Sequence, residues 1–366
     1  MKPIIYITNT LKRCGPVNLL FDIICHLDRQ QYQPYVITLF PEEASSRQQD
    51  FDKLGIRRLP LNLPKGWGSF SKAGKITEIV RQVNPVAIHC VGFRADMIGA
   101  LYFRGYNTIS SQVCSPFDDY VMSYGAVHGR IMVTLTVWAL KKIKHAVACS
   151  REVAAKLEKK GVSTKVIYNA VDNVLFQIPS PEEKETRRRL LKIPANAGPV
   201  FIFVGVLSDR KQPTVAIKAF EKYQETCPMS MLLVLGEGPL LEECKRLAKG
   251  KRILFLGNVA DTRPYLSASD YYIATSKTEG MPLSVLEGLA LGLPVILSDI
   301  EPHREILSFN PRAGALAKTG SVAATCEAIR ELIAKNKSTI SEHARSIIDK
   351  KLNAKIMSQE YQQYYT

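Results

Sequence analysis

Asp270-Tyr-Tyr-Ile-Ala-Thr-Ser-Lys-Thr-Glu279-Gly-Met-Pro-Leu-Ser-Val-Leu-Glu287-Gly-Leu-Ala-Leu-Gly-Leu-Pro294-Val-Ile-Leu297 reads as a strand, a loop, a helix and a second strand. Asp270–Ala274 and Pro294–Leu297 are short and largely apolar, as strands covered on both faces of a parallel sheet are. Pro282 suits the first turn of a helix, where its missing N–H costs nothing. Gly280 lets the backbone approach a ligand closely.

The same alternation runs outward in both directions. Val200–Gly205, Met231–Gly236 and Ile253–Leu256 are further strands in the second half. In the first half Pro3–Thr8, Tyr35–Phe40, Ala87–Cys90, Thr108–Val113, Ala146–Ala148 and Lys165–Tyr168 are strands, with helical periodicity at Val17–Leu27 and Gly74–Gln82 between them. Strands each followed by a helix predict an α/β chain of two doubly wound, Rossmann-like parallel-sheet domains. The switch falls between Asp172 and Pro199, a polar, charge-rich linker with one charged helix across Glu182–Leu191. The expected boundaries are 1–175, 176–345 and a closing helix over 346–366. In such folds ligands collect outside the carboxyl ends of the strands, so function belongs in the loops that follow them.

Composition narrows the partners. The 366 residues are 46% hydrophobic and 23% charged, a globular balance. No apolar run reaches the roughly 18–20 residues of a spanning helix. The opening Met-Lys-Pro-Ile-Ile-Tyr-Ile-Thr is too short for a secretion signal, so cytoplasmic residence is expected. The eight cysteines form no Cys-x-x-Cys pair and no zinc-ligand cluster, which predicts free thiols and no metal site. Net charge is +15, and about two thirds of the excess precedes residue 175. Nucleic acid, an anionic membrane surface or a phosphate-rich substrate would each suit that charge. Nucleic acid is set aside because no aromatics interleave with clustered Lys/Arg in a recognisable module. Arg57-Arg58, Lys141-Lys142-Lys144, Lys159-Lys160 and Arg187-Arg188-Arg189 are short clusters that singly read as solvated faces. The apolar segment Tyr124–Ala146, with Arg130, Lys141, Lys142 and Lys144, reads as a core helix or as a helix lying on a membrane surface.

The helix beginning near Pro282 offers free N–H groups and a positive dipole end to an anion. Glu279 would stand at its mouth and Glu287 one to two turns in. Carboxylates so placed suit sugar hydroxyls and the two hydroxyls of a ribose; spacing alone fits an ordinary surface helix equally well.

Glu279-x7-Glu287 followed by Gly-Leu-Ala-Leu-Gly-Leu-Pro-Val-Ile resembles the donor-site signature of glycosyltransferase family 4, retaining enzymes with the GT-B fold. Lys12-Arg-Cys-Gly15-Pro-Val-Asn resembles that family's glycine loop after the first strand. Ile167-Tyr-Asn169-Ala-Val-Asp172 resembles its segment closing the first domain, and Phe203-Val-Gly205 its loop opening the second. Leu235-Gly236-Glu-Gly238-Pro and Phe255-Leu-Gly257-Asn-Val259 are two further stations in the same order. The resemblance implies an acceptor domain and a donor domain facing a central cleft, with the C-terminal helix crossing back.

By that resemblance Lys211 meets the donor pyrophosphate, Glu287 the ribose and Glu279 the donor sugar, while Gly280, Met281, Pro282 and Leu283 line sugar and phosphate. Gly15 faces the donor from the other domain, Gly205, Gly236 and Gly238 give close approach, and Asn258 and Val259 lie where the base is read. Catalysis would rest on Glu279, Lys211 and Arg210, with fixed cations and N–H dipoles stabilising a departing nucleoside diphosphate. Nothing resembles an Asp-x-Asp metal motif, so no cofactor is expected beyond the nucleotide sugar itself as substrate.

Two positions depart from the family. Val206 stands where an arginine usually supplies the second cation, and Arg210 is the candidate replacement. Cys114 stands where the first domain usually offers a histidine, and a thiol cannot hydrogen-bond a sugar hydroxyl as an imidazole does. Asp118 and Asp119 either position an acceptor or form a turn or helix cap after Pro116. His303 and His89 read as structural. The function implied is transfer of a hexose-type sugar from a nucleotide sugar, UDP-linked, to a glycan or lipid-linked acceptor in surface polysaccharide or O-antigen synthesis, at the inner face of a cell membrane. The alternatives are a sugar-nucleotide epimerase or phosphorylase of the same fold, and a non-catalytic nucleotide-sugar-binding subunit.

Overall fold

The computed structural model describes residues 1–43, 46–64, 73–248, 250 and 252–366. The first sheet contains β1 (Lys2–Thr8), β2 (Tyr32–Thr38), β3 (Arg57–Pro60), β4 (Ala87–Val91), β5 (Thr108–Gln112), β6 (His145–Ala148) and β7 (Thr164–Val166), in the order β3-β2-β1-β4-β5-β6-β7. The second contains β8 (Val200–Val204), β9 (Met231–Leu235), β10 (Ile253–Phe255), β11 (Tyr271–Ala274), β12 (Val295–Ser298) and β13 (Gly314–Ala317), in the order β10-β9-β8-β11-β12-β13. Neighbouring strands are parallel in both sheets. Each order reverses beside its first strand, which puts the switch points between β1 and β4 and between β8 and β11.

The sequence reading misses β3 and β13, both edge strands. β3 is Arg-Arg-Leu-Pro, and an edge tolerates charge and proline because one side carries no ladder. β13 is Gly-Ala-Leu-Ala, weak strand formers held by proximity: a Cβ on Gly314 would stand 2.2 Å from the Val295 carbonyl.

Two compact units result, Met1–Asn169 with Ala354–Thr366, and Ala170–Asn353. The divisions differ from the expected 175 and 345 for a local reason. Val171 N–H donates to Leu352 O at 3.2 Å, Asn173 Nδ2 to Asp349 Oδ1 at 2.8 Å, and Arg345 to the carbonyls of Asn173 and Phe176 at 2.8 and 2.7 Å. Residues 170–178 therefore fold onto the helix Lys337–Lys350, and both belong to the second unit.

The stretch expected to be a linker is also built in. Its helix, Pro181–Leu190, opens on a capping box between Ser180 and Glu183. Asp270, 8% exposed, accepts from Lys184 Nζ at 2.7 Å, Arg188 Nη2 at 2.6 Å and the Val200 N–H at 2.9 Å, and it also pairs with Lys337. Burial alone would raise its carboxyl, but the surrounding cations hold it far below the usual range. The apolar core of this unit gathers Phe201, Phe203, Phe220, Leu232, Val234, Ile273, Ile296 and Ile329.

In the first unit Ile5, Ile7, Ile37, Ile88, Ile98 and Phe103 form the core. The chain's last helix, Ala354–Gln362, closes that unit on the helix Gly15–Cys25, where Ser358 Oγ donates to Ile23 O at 2.7 Å. Behind it, buried His89 bonds Tyr365 Oη at 2.8 Å and Ser111 Oγ at 2.6 Å, and Ser111 donates to Tyr361 at 2.8 Å. Both ring nitrogens are satisfied, and burial lowers the imidazole to about 3, so it stays neutral. No helix among the described residues is long and apolar enough to cross a membrane.

Candidate functional site

The loops that leave β8 and β11, the strands flanking the second switch point, are stitched together. Lys277 N–H donates to Arg210 O at 2.8 Å, Thr275 Oγ1 to Gln212 O at 2.7 Å, and Lys277 Nζ pairs with Asp209 at 2.6 Å. These bonds bring the predicted charged residues to one place. Glu279, 7% exposed, receives Lys211 Nζ on Oε1 at 2.6 Å and Arg210 Nη1 on Oε2 at 2.8 Å. Ser276 Oγ donates to the same Oε1 at 2.6 Å. Burial pushes this carboxyl up, but Lys211 and Arg210 override it and hold the group at about 2, firmly ionised.

Glu287 is on the helix Leu283–Ala290 and behaves oppositely. Burial lifts it to about 7, and the single hydroxyl of Thr262, donating to Oε2 at 2.9 Å, only partly offsets that. One helix thus presents an anionic carboxylate at its mouth and a carboxyl near its neutral point further in. Tyr272 lies beneath both, its phenol raised by burial and by the two acids, and its hydroxyl donates to Val204 O at 3.4 Å.

Pro282 is the N-cap of that helix rather than part of its first turn; its carbonyl accepts from Val285 and Leu286 at 3.1 and 3.2 Å. No side chain caps the helix and no acid sits in its first turn, which leaves that end open to an anion. Gly280, Met281 and Pro282 are buried and Leu283 is half-buried.

The glycines serve two different ends. Gly236 and Gly238, at φ +123° and +159°, pack against their own chain: a Cβ would stand 2.1 Å from Gly205 O and 2.5 Å from Leu207 O. Their expected close approach is therefore to the neighbouring loop. Gly205 gives room to Lys211, whose Cε would be 3.3 Å from a Cβ there. Gly257 O accepts from Gly236 N–H at 2.8 Å, with Asn258 exposed and Val259 half-buried beyond it.

Val206 is 54% exposed and brings no charge, so Arg210 is the second cation at Glu279. His303 is buried and structural on one side: Nδ1–H donates to Ser298 O at 2.8 Å, and Ser298 Oγ donates to Ser276 O at 2.6 Å. Burial holds this imidazole at about 4. Ser276, Thr262, Tyr272 and Ser298 escape the sequence reading, because serine, threonine and tyrosine beside a strand end carry no spacing signal.

The residues predicted for the first unit are engaged locally. Gly15 is the first residue of its helix, after Cys14 at the N-cap, and the preceding loop is anchored where the Leu11 N–H meets both Glu42 oxygens at 2.9 Å. Asp118 accepts from Ser115 Oγ and from Lys156 Nζ, both at 2.7 Å, in the first turn of the helix Pro116–Tyr124. Cys114 Sγ lies 3.6 Å from Asp119 Oδ2. Beneath them Asp96, 1% exposed, accepts from Gln112 Nε2 at 2.9 Å, and burial raises it to about 7. Among the described residues no three His, Cys, Asp or Glu side chains gather as a metal site.

Comparison with known proteins matches residues 14–174 to "Glycosyltransferase Family 4" and residues 198–335 to "Glycosyl transferases group 1". The UDP-Gal:alpha-D-GlcNAc-diphosphoundecaprenol alpha-1,3-galactosyltransferase of Escherichia coli is 34% identical over 37% of this chain and 36% of its own. The alpha-monoglucosyldiacylglycerol synthase of Streptococcus pneumoniae is 25% identical over 79% of this chain and 69% of its own. The chain thus spans about a third of the length of the first curated relatives it matches, 36% in each case. The crystal structure of Anabaena HepE in complex with UDP and glucose superposes with a TM-score of 0.82 at 20% identity, over 99% of both chains, which establishes a shared fold. With two matches that together run through most of the sequence and two doubly wound sheets of the same order, the chain belongs to glycosyltransferase family 4 and has the GT-B fold.

Proposed function

We propose that this protein is a retaining glycosyltransferase that moves a hexose-type sugar from a UDP-linked donor to a glycan or lipid-linked acceptor in surface polysaccharide or O-antigen synthesis. One observation carries the reading: Lys211 and Arg210 converge on Glu279 beside an uncapped helix start at the second switch point. There Lys211, Arg210 and the helix end meet the diphosphate, Glu279 the donor sugar, and Glu287 the ribose. Charge on the departing diphosphate falls on these two cations and the helix end, so the reaction needs no metal or other cofactor. The relatives named for a diphosphoundecaprenol-linked sugar and for a diacylglycerol support a lipid-linked acceptor.

A peripheral membrane contact fits that acceptor. Leu101, Tyr102, Met122, Tyr124, Val127 and Ile131 are exposed large apolar side chains. They are close in sequence to Arg130, Lys141, Lys142 and Lys144, and no acid occurs from residue 120 to 151. An apolar surface with uncompensated cations suits an anionic leaflet of the cytoplasmic face.

The test is transfer from a panel of UDP-sugars to a lipid-diphosphate sugar, with the product's anomeric configuration read by NMR and UDP affinity by calorimetry. Retention of configuration, and UDP binding weakened by Glu287→Ala, are expected. Inversion, or UDP affinity indifferent to Glu287, would overturn it. Sedimentation with anionic but not neutral vesicles tests the membrane contact.

A further inference from the structure

We propose that Glu279 competes internally with the donor's diphosphate, holding Lys211 and Arg210 on a carboxylate that the diphosphate must displace, so that free nucleoside diphosphate is bound more weakly than its cations alone would allow. This rests on the donor-site reading above.

The geometry makes the competition direct. Lys211 reaches Oε1 and Arg210 reaches Oε2, so both oxygens of Glu279 are occupied by the cations that would otherwise meet phosphate. Two unit charges so near one carboxylate, largely withdrawn from water, are strongly attracted to it. A diphosphate arriving at the helix start gains these cations only as Glu279 gives them up. The movement required is small: the aliphatic stem of Lys211 lies along Gly205, and only its ammonium end need turn. Ser276 stays behind as a donor to Oε1, itself fixed where Ser298 Oγ bonds its carbonyl.

The intact donor and the spent one then differ. A nucleotide sugar brings hydroxyls that donate to Glu279 as its cations leave, so both charges find new partners. A nucleoside diphosphate without the sugar takes the cations and leaves a buried carboxylate held by Ser276 alone. Uncompensated buried charge is costly. Glu279 therefore favours the intact donor and speeds release of the spent nucleotide.

The test measures UDP affinity by titration calorimetry for the wild-type protein and for Glu279→Gln. The variant is expected to bind UDP about tenfold more tightly while its turnover falls, because the sugar contact is lost and release slows. Unchanged or weaker UDP binding by the variant, with the wild type binding, overturns the competition and leaves the donor site standing. A wild type that binds no UDP overturns the donor-site reading itself. If Glu279→Gln does not fold, Glu279→Asp, which draws the carboxylate back by one methylene, is expected to tighten UDP binding by a smaller factor, and no tightening overturns the proposal.

Discussion

The strand ends of the two sheets have the same topology and use their polar residues in opposite ways. After β8 and β11, Lys211, Arg210 and Glu279 gather three charges beside an open helix start. After β4 and β5, Asp96 turns inward to Gln112, and Asp118 is taken up by Ser115 and Lys156. A charge is useful in chemistry only if it can change partner, and by our proposal the second unit keeps such charges at its strand ends. The first spends its own on holding a loop and a helix start in shape. One architecture thus carries two arrangements, a cluster of charges beside an open helix start, which we propose as the reactive face, and acids engaged within their own loop and helix, and the difference lies in where the acids point.

The largest expected effect tests the reactive side. Lys211→Met should lower the kcat/KM of sugar transfer by about 10²–10³-fold, the usual cost of removing a fixed group that stabilises charge in the transition state. Cys114→Ser, the position where a histidine is usual, should change it by less than about threefold. Steady-state kinetics on the two variants breaks the comparison if the second loss rivals the first.

Glu287 gives the next effect. Its carboxyl sits at about 7, so the carboxylate that the proposed ribose contact uses is lost as pH falls below that value. UDP affinity should then drop by up to about tenfold per pH unit, the limit for one required ionisation. Glu287→Gln should flatten this dependence; a wild-type affinity constant from pH 8 to pH 5 would count against the role.

Two smaller effects probe the first unit. Asp96 is raised from 3.8 to about 7 in the fold, so its stabilising contribution is complete below pH 3.8 and is lost as pH rises through 7. Asp96→Asn should therefore gain melting temperature relative to wild type between pH 6 and pH 8, measured by calorimetry across that range. Asp118→Ala should cost about 1 kcal/mol of stability through the lost helix-terminus acid and its Lys156 pair, with little change in transfer rate. A large fall in rate without a stability loss would move Asp118 from scaffold to acceptor site.

Much of this was legible in order along the chain. Buried parallel strands announce themselves as apolar runs, because both faces are covered. Thus β1, β4, β8 and β11 are recognisable at once, whereas the edge strands β3, Arg-Arg-Leu-Pro, and β13, Gly-Ala-Leu-Ala, lack an apolar β-branched run and are not. The helix start at Pro282 and the acids around it are local, and local chemistry survives reading in one dimension. Arg210 as the second cation was visible as a candidate because it adjoins Lys211.

What the sequence by itself determined, then, is the family, the two-sheet architecture and the identity of the loop that carries Glu279 and Glu287. Only the tertiary structure decided what those acids are. Lys211 and Glu279 are 68 residues apart, and their pairing exists because β8 and β11 are neighbours at the switch point. The same folding leaves half-buried Glu287 with one hydroxyl donor and surrounds buried Glu279 with two cations, so a glutamate on the helix and one in the loop before it come to rest near 7 and near 2. Ionisation is set by distance and burial, and neither is a property of sequence order.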